Sequence, residues 1–318
     1  DLLRVRPRMS HYKSVSKQVF EIFRHFTPLV EGLSLDEAFM DVTASVALFG
    51  PPEKIAADIK AAIRDATSLT ASVGVAQNKL VAKIASDLDK PDGLTIVYPE
   101  HYELRLDPLP VAVIPGIGRK TLQRLSGTGI ATLRDLRTAE DRVLESVFGR
   151  FAQKTRARAA GSDDRPVVPS RAEKSISAEE TYESDLARLP EMEKELLRLA
   201  ERTAARLRKA RLVAGTVQVK IRQSDFATFT RQRRVRPPAN GTDQVYAVAR
   251  DLLGTWLADN PGARIRLLGI GGSDLAPAAQ EDLFATTGAE TAVDKTVDEI
   301  RDRFGSDIVG RARTLDRH

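Results

Sequence analysis

Asp36 and Glu37 stand side by side in "GLSLDEAFMDVT", residues 32 to 43, among Leu33, Leu35, Ala38, Phe39, Met40 and Val42. The apolar neighbours read as strand, so the two acids are expected where side chains are buried. A buried carboxylate is costly unless it is paired or binds a cation. Oxygens of this kind suit Mg²⁺, which takes carboxylates and keeps room for water and substrate phosphates. Two such ions form the clamp of in-line phosphoryl displacement. Neighbours on a regular strand face opposite ways. The pair therefore serves one ion only at a hairpin turn or on a twisted edge; otherwise it is a turn acid beside a solvent-facing one. Asp41, five residues beyond Asp36, is expected to face away from it.

The stretch "QNKLVAKIASDLDKPDGL" carries Lys79, Lys83 and Lys90. Lys79 and Lys83 are four apart and share a helix face. Lys90 follows the helix end, where a cation either offsets the helix dipole or reaches a phosphate as a point charge. "IPGIG", Ile114 to Gly118, precedes another helix. Gly116 and Gly118 there permit close approach of backbone N–H groups to a phosphate, or make an ordinary turn between helices.

Periodicity predicts the elements that must position these groups. Val15, Val19, Ile22, Phe23 and Phe26 share one helical face, and a hairpin follows at about 29–42. "PPEKIAADIKAAIRDATS" is a helix with Pro near its first turn. "LTASVGVA" and "LTIVY" are strands around a helix with Leu80, Ile84 and Leu88 inward. Residues 8–98 thus predict a sheet with helices on one face, and 101–160 short helices. "GSDDRPVVPS" reads as a linker. After it come a strand "EKSISAEETY", a helix at about 191–209, strands "GTVQVKIRQ" and "FATFTRQRRV", a helix near 243–258 and a strand "ARIRLLGIGGSDL". This β-α-β-β-α-β order is the ferredoxin-like signature. Its alternation sends Val217, Val219 and Ile221 to one face and Gln218, Lys220 and Arg222 to an open one. The tail ends in a helix, "TAVDKTVDEIRDRFG".

The chain of 318 residues has net charge +5, and residues 202–236 hold eleven Lys or Arg against one acid, Asp225. That run signals an anionic partner, or a solvated helix face plus charged strand ends. No run approaches the length of a membrane span, and the start is no signal peptide. The absence of cysteine excludes disulfides and thiolate metal sites, and suits a cytoplasmic protein.

"SLDEAFMDVT" followed by "ASVGVAQNKLVAKIASDLDKPDGL" resembles the palm of a Y-family translesion DNA polymerase of the DinB, or DNA polymerase IV, type. The resemblance implies an α+β multidomain chain. Residues 1–7 would end a fingers region, 8–100 form a partial palm, 101–162 a helix-hairpin-helix thumb and 163–171 a linker. Residues 172–277 would be the β-α-β-β-α-β little finger and 278–318 a tail. The implied activity is template-directed, low-fidelity synthesis with two Mg²⁺ ions, from deoxynucleoside triphosphates onto the 3′ end of a primer–template DNA. Asp36 and Glu37 would be catalytic metal ligands and Lys90 would meet the triphosphate, with Asp87 in the same block. Gly116, Gly118, Lys174, Ser175, Arg222, Ser224, Thr228, Thr230 and Arg231 would track DNA phosphates, the little-finger residues as a set on one sheet face.

"QEDLF", with Gln280, Asp282, Leu283 and Phe284, resembles the bacterial sliding-clamp motif; Gln280 would fill a polar pocket, and Leu283 and Phe284 an apolar one. Family members begin with a strand bearing another metal-binding Asp, then an aromatic gate and the fingers. These are expected to be missing here, leaving the two-metal site incomplete. That keeps a catalytically silent DNA- and clamp-binding accessory protein as the alternative. The chain is expected to be a cytoplasmic monomer with no membrane partner.

Overall fold

Residues 9–26 form helix α1 (Met9–Phe26), which lays Val19, Ile22, Phe23 and Phe26 into a core. A hairpin, β1 (Val30–Gly32) and β2 (Ala38–Met40), follows with Val30 opposite Met40. Next come a short α2 (Val46–Phe49) and α3 (Pro52–Thr67), whose Ile55, Ile59 and Ile63 complete that core. Pro52 opens α3, where its missing N–H is harmless. The computed structural model describes residues 3, 5–170, 172–278, 288–305 and 308–311. The chain divides into two units, 1–171 and 172–318.

In the first unit β3 (Val73–Ala76) and β4 (Leu94–Val97) pair in parallel around α4 (Lys79–Leu88). A parallel pair needs such a crossover. Asn78 caps α4 by accepting from the Val81 N–H at 3.0 Å, satisfying an amide the helix leaves unpaired. Gly74 lets the helix lie on the strand, since a Cβ there would stand 2.0 Å from the Ala82 carbonyl oxygen.

The single sheet expected over 8–98 is instead two two-stranded sheets, β1-β2 and β3-β4. Strands of three or four residues satisfy one another within each pair, and side chains of α4 bridge the pairs. Leu88, expected inward, is exposed, because it is the last residue of α4, one turn beyond buried Ile84.

Short helices follow: α5 (Tyr102–Leu106), α6 (Arg119–Leu125), α7 (Leu133–Thr138), α8 (Asp141–Phe148) and α9 (Ala152–Ala159). Their Leu106, Leu133 and Leu144, with Ile114 from the segment between α5 and α6, share one core with Leu80 and Ile84 of α4. The segment read as a linker is held to this unit over 161–168. Asn78 Nδ2 donates to the Gly161 carbonyl at 2.8 Å, Lys79 Nζ to that of Pro166 at 2.7 Å, and the Val168 N–H to Glu31 Oε2 at 2.9 Å. Its prolines exclude helix and ladder pairing, so side chains satisfy its backbone groups.

The second unit runs β5 (Ser175–Leu186), α10 (Leu189–Lys209), β6 (Leu212–Gln223), β7 (Thr228–Ala239), α11 (Thr242–Asp259) and β8 (Ile265–Pro277). This is the expected element order. In space the sheet is antiparallel with order β5-β8-β6-β7, so the last strand lies between the first two. Val217, Val219, Ile221, Leu268 and Ile270 pack against Leu196, Leu199, Leu253 and Trp256 of the two helices. The other sheet face is open.

A final helix, α12 (Gly288–Phe304), lies against α10. Arg208 of α10 reaches Asp294 at 3.1 Å and Asp298 at 2.7 Å, and Asp294 also accepts from the Thr242 N–H at 2.8 Å. Among the described residues no helix is long and apolar enough to cross a membrane.

Candidate active site and nucleic-acid interface

β1 ends at Gly32 and β2 starts at Ala38, so Asp36 and Glu37 occupy the turn between them. The Leu33 and Ser34 N–H groups both donate to the Glu37 carbonyl, at 2.8 and 3.3 Å. This corrects the expected burial: Asp36 is exposed, Glu37 half-buried, and Leu33 and Leu35 are exposed beside them. The apolar alternation at 33–37 belongs to a turn, not to a strand. The turn frees the pair from strand alternation, and Glu37 Oε1 pairs with Lys83 Nζ at 2.8 Å. Ser34 Oγ donates to Asp36 Oδ1 at 2.5 Å and accepts from the Asp36 N–H at 3.2 Å, which steadies the carboxylate. Asp41 lies at the far end of the hairpin, where Oδ1 accepts from the Thr43 N–H at 3.0 Å.

From Glu37 a line of alternating charges runs along α4. Lys83 Nζ stands 2.8 Å from Glu37 Oε1 and 3.3 Å from Asp87 Oδ2; Asp87 Oδ1 is 2.6 Å from Lys90 Nζ. Partial burial works against the Lys83 ammonium, but hydrogen bonds to Glu37 and Asp87 outweigh it and raise its pKa. Burial likewise opposes the Asp87 carboxylate, and hydrogen bonds from Lys90 and Lys83 overcome it, lowering its pKa. Lys90 keeps half of its side chain exposed. A point charge is thus accessible at one end of the line and a carboxylate pair at the other.

Lys79 does not join this line, although its spacing from Lys83 puts both on one helix face. It is buried, with Nζ 2.7 Å from Glu31 Oε2 and 5.5 Å from the Phe39 ring centroid. Glu31 is the residue that sequence reasoning missed. Its only signal was a lone acid in an apolar strand, and its partner lies 48 positions away.

Asp36 and Glu37 suit a divalent cation, being adjacent, accessible hard oxygen donors. Among the described residues no group of three or more His, Cys, Asp or Glu gathers to hold a metal. Two carboxylates fit an ion that takes the rest of its shell from water and substrate oxygens.

The hairpin at Gly116 is exposed, with Gly116 at φ 99°, a backbone that favours glycine. Gly118, also exposed, caps α6, and Arg158 Nη2 donates to the Pro115 carbonyl at 2.8 Å, pinning the turn.

In the second unit, register decides which side chains share the open face. Arg222 stands opposite Thr228, Lys220 opposite Thr230, and Ser175 opposite Ser273. Directly paired residues point to the same side of a sheet, so these join Gln218 on the open face. Arg222 Nε donates to Thr228 Oγ1 at 2.9 Å, and Lys220 Nζ lies 2.8 Å from Glu179 Oε2. Lys174, just before β5, and Ser224, in the β6–β7 turn, are exposed.

Arg231 is a correction: it pairs with buried Val219, so it belongs to the helix-covered face, exposed only because β7 is an edge. The basic run also divides. Arg202, Arg206 and Arg208 of α10 are engaged by Glu180, the Ser177 carbonyl and the α12 acids. Gln280, Asp282, Leu283 and Phe284 lie outside the described residues.

Comparison with known proteins agrees along the chain. Residues 1–87 match the impB/mucB/samB family, and residues 173–283 match the impB/mucB/samB family C-terminal domain. DNA polymerase IV of Desulfatibacillum aliphaticivorans is 42% identical over 308 residues, covering 95% of this chain and 77% of that protein. DNA polymerase IV of Alkalilimnicola ehrlichii is 42% identical over 271 residues, covering 85% and 75%. Among solved structures, the Y-family DNA polymerase chimera Dbh-Dpo4(243-245)-Dbh superposes with a TM-score of 0.76 at 26% identity, covering 85% of this chain and 78% of that one. The chain belongs to the Y-family DNA polymerases, of the DinB or DNA polymerase IV type. Its function is translesion DNA synthesis as a DNA-directed DNA polymerase, with the divalent-metal dependence general to that family.

Proposed function

We propose that Asp36 and Glu37 contribute ligands to a site for two Mg²⁺ ions at the primer end, and that Lys90 meets the triphosphate of the incoming deoxynucleotide. When bound, the ions activate the attacking 3′ hydroxyl and neutralise the departing pyrophosphate. The protein's own part is positioning and electrostatics. Ser34 orients Asp36, the turn brings Glu37 beside it, and Lys83 and Asp87 carry charge balance from Glu37 to Lys90. The observation carrying this reading is that continuous line, which links exposed Asp36 and half-buried Glu37 to a half-exposed lysine.

Primer–template DNA lies against the Gly116–Gly118 hairpin and the open sheet face, through Lys174, Ser175, Arg222, Ser224, Thr228 and Thr230. Contacts of this kind grip phosphates without reading sequence, which suits extension past damaged bases at low fidelity. Arg231 stands apart from this set because of its register. Palm, thumb and little finger correspond to residues 8–100, 101–162 and 172–277. Gln280, Asp282, Leu283 and Phe284 bind a bacterial sliding clamp, a reading supported by the motif alone, and the enzyme works as a cytoplasmic monomer.

Primer extension with Mg²⁺ and four deoxynucleoside triphosphates tests the core of this reading. Asp36→Ala abolishes extension and leaves primer–template binding intact. Extension at wild-type rate by that variant removes Asp36 from the site.

A further inference from the structure

Helix α3 carries none of the residues assigned above, yet it devotes two cations to the turn that follows Lys90. Lys60 is largely buried, with 16% of its side chain exposed. Its ammonium has three donors, and each meets an oxygen: the Ala71 carbonyl at 2.5 Å, the Asp92 carbonyl at 2.9 Å and Asp92 Oδ1 at 2.5 Å. Arg64, one turn later, binds the other carboxylate oxygen, Oδ2.

Asp92 takes a left-handed backbone, φ 57°, a conformation that a residue with a side chain adopts at some cost. Gly93 beside it is closely packed: a Cβ there would stand 2.2 Å from the Asp89 carbonyl oxygen, and its N–H donates to Ser72 Oγ at 3.2 Å. The turn 91–93 is therefore held by α3 on one side and by the approach to β3 on another. It is also the turn that follows Lys90 directly.

We infer that Lys60, Arg64 and Asp92 are positioning residues for Lys90, forming a clasp that sets where its ammonium stands relative to the incoming triphosphate. The inference rests on the triphosphate reading of Lys90. A lysine with three oxygen partners also stabilises the fold, and kinetics separate the two roles. A clasp that aims Lys90 acts on nucleotide capture and only through Lys90.

The test is single-nucleotide insertion on a primer–template with Mg²⁺, comparing the wild-type enzyme, Lys60→Met, Lys90→Ala and the double variant. DNA affinity is measured in parallel. Lys60→Met raises KM for the deoxynucleotide roughly tenfold, as expected for a displaced binding group, and leaves DNA affinity unchanged. It adds nothing in the Lys90→Ala background, where the group it positions is gone. Asp92→Asn, which keeps shape and one acceptor, gives a smaller rise.

Two results overturn the clasp alone: an unchanged KM in Lys60→Met while Lys90→Ala raises it, or increases that multiply in the double variant. An unchanged KM in Lys90→Ala overturns the reading of Lys90 and the clasp with it. Should Lys60→Met fail to fold, Arg64→Ala, at a mostly exposed position, enters the same cycle.

Discussion

At the scale of single residues, the acid pair owes its accessibility to a turn. Asp36 is exposed, and its carboxylate is steadied by Ser34. Ser34→Ala removes that orienting hydroxyl and is expected to weaken Mg²⁺-dependent extension about tenfold, with more Mg²⁺ needed for half-maximal rate; a metal titration of extension checks it. Two other carboxylates, Asp92 and Asp163, set an acid limit on stability. A hydrogen bond from Lys60, with Arg64 nearby, holds the Asp92 pKa below the usual carboxylate value. A hydrogen bond from Arg165 does the same for Asp163 despite partial burial. A pKa lowered by folding contributes stability that is present above the unfolded value, about 3.9, and is lost as pH falls through the folded one. Thermal melts of the first unit are therefore expected to decline steeply below about pH 4. Asp92→Asn flattens that decline while lowering stability at neutral pH.

At the scale of elements, two features were beyond sequence reading. The last helix had no assigned role. In the structure α12 is tied to α10 and the start of α11 through Asp294, which is 5% exposed and engages Arg208, Arg311 and the Thr242 N–H. Removing one partner of a buried ion pair leaves the other charge uncompensated. Asp294→Ala is expected to destabilise the second unit by about 3 kcal/mol, measured by denaturant unfolding. The other feature is the docked segment 161–168. Its composition announced the absence of helix and strand, and composition carries no information about Glu31 and Lys79. Their pairing across 48 positions is a property of the tertiary fold, which brings β1 and the start of α4 within reach of one ion pair.

At the scale of the whole molecule, a net charge of +5 implies DNA binding that weakens with salt. Each neutralised phosphate releases counterions, so the logarithm of affinity falls linearly with that of salt concentration. Arg222→Ala, on the open face, is expected to reduce that slope by about one phosphate contact. Arg231→Ala, on the helix-covered face, leaves it unchanged. Fluorescence anisotropy with a labelled primer–template across a salt series distinguishes them, and equal losses would put both arginines on the DNA.

The sequence by itself determined the helices and strands, because periods of 3.6 and 2 are written locally in apolar spacing. The β-α-β-β-α-β order, the bounds of α3 and α10, and the outward alternation of Gln218, Lys220 and Arg222 were all legible in this way. The motif blocks around Asp36 and Lys90 carried the family, since ordered motifs survive in the linear chain. The tertiary structure alone decided that Asp36 and Glu37 sit in a turn, that Lys79 is buried while Lys83 pairs with Glu37 and Asp87, and that Arg231 shares a face with Val219. Each depends on where a strand stops or which strand lies alongside. Pairing and register are set by contacts between distant segments, and a shift of one residue turns every side chain to the other face.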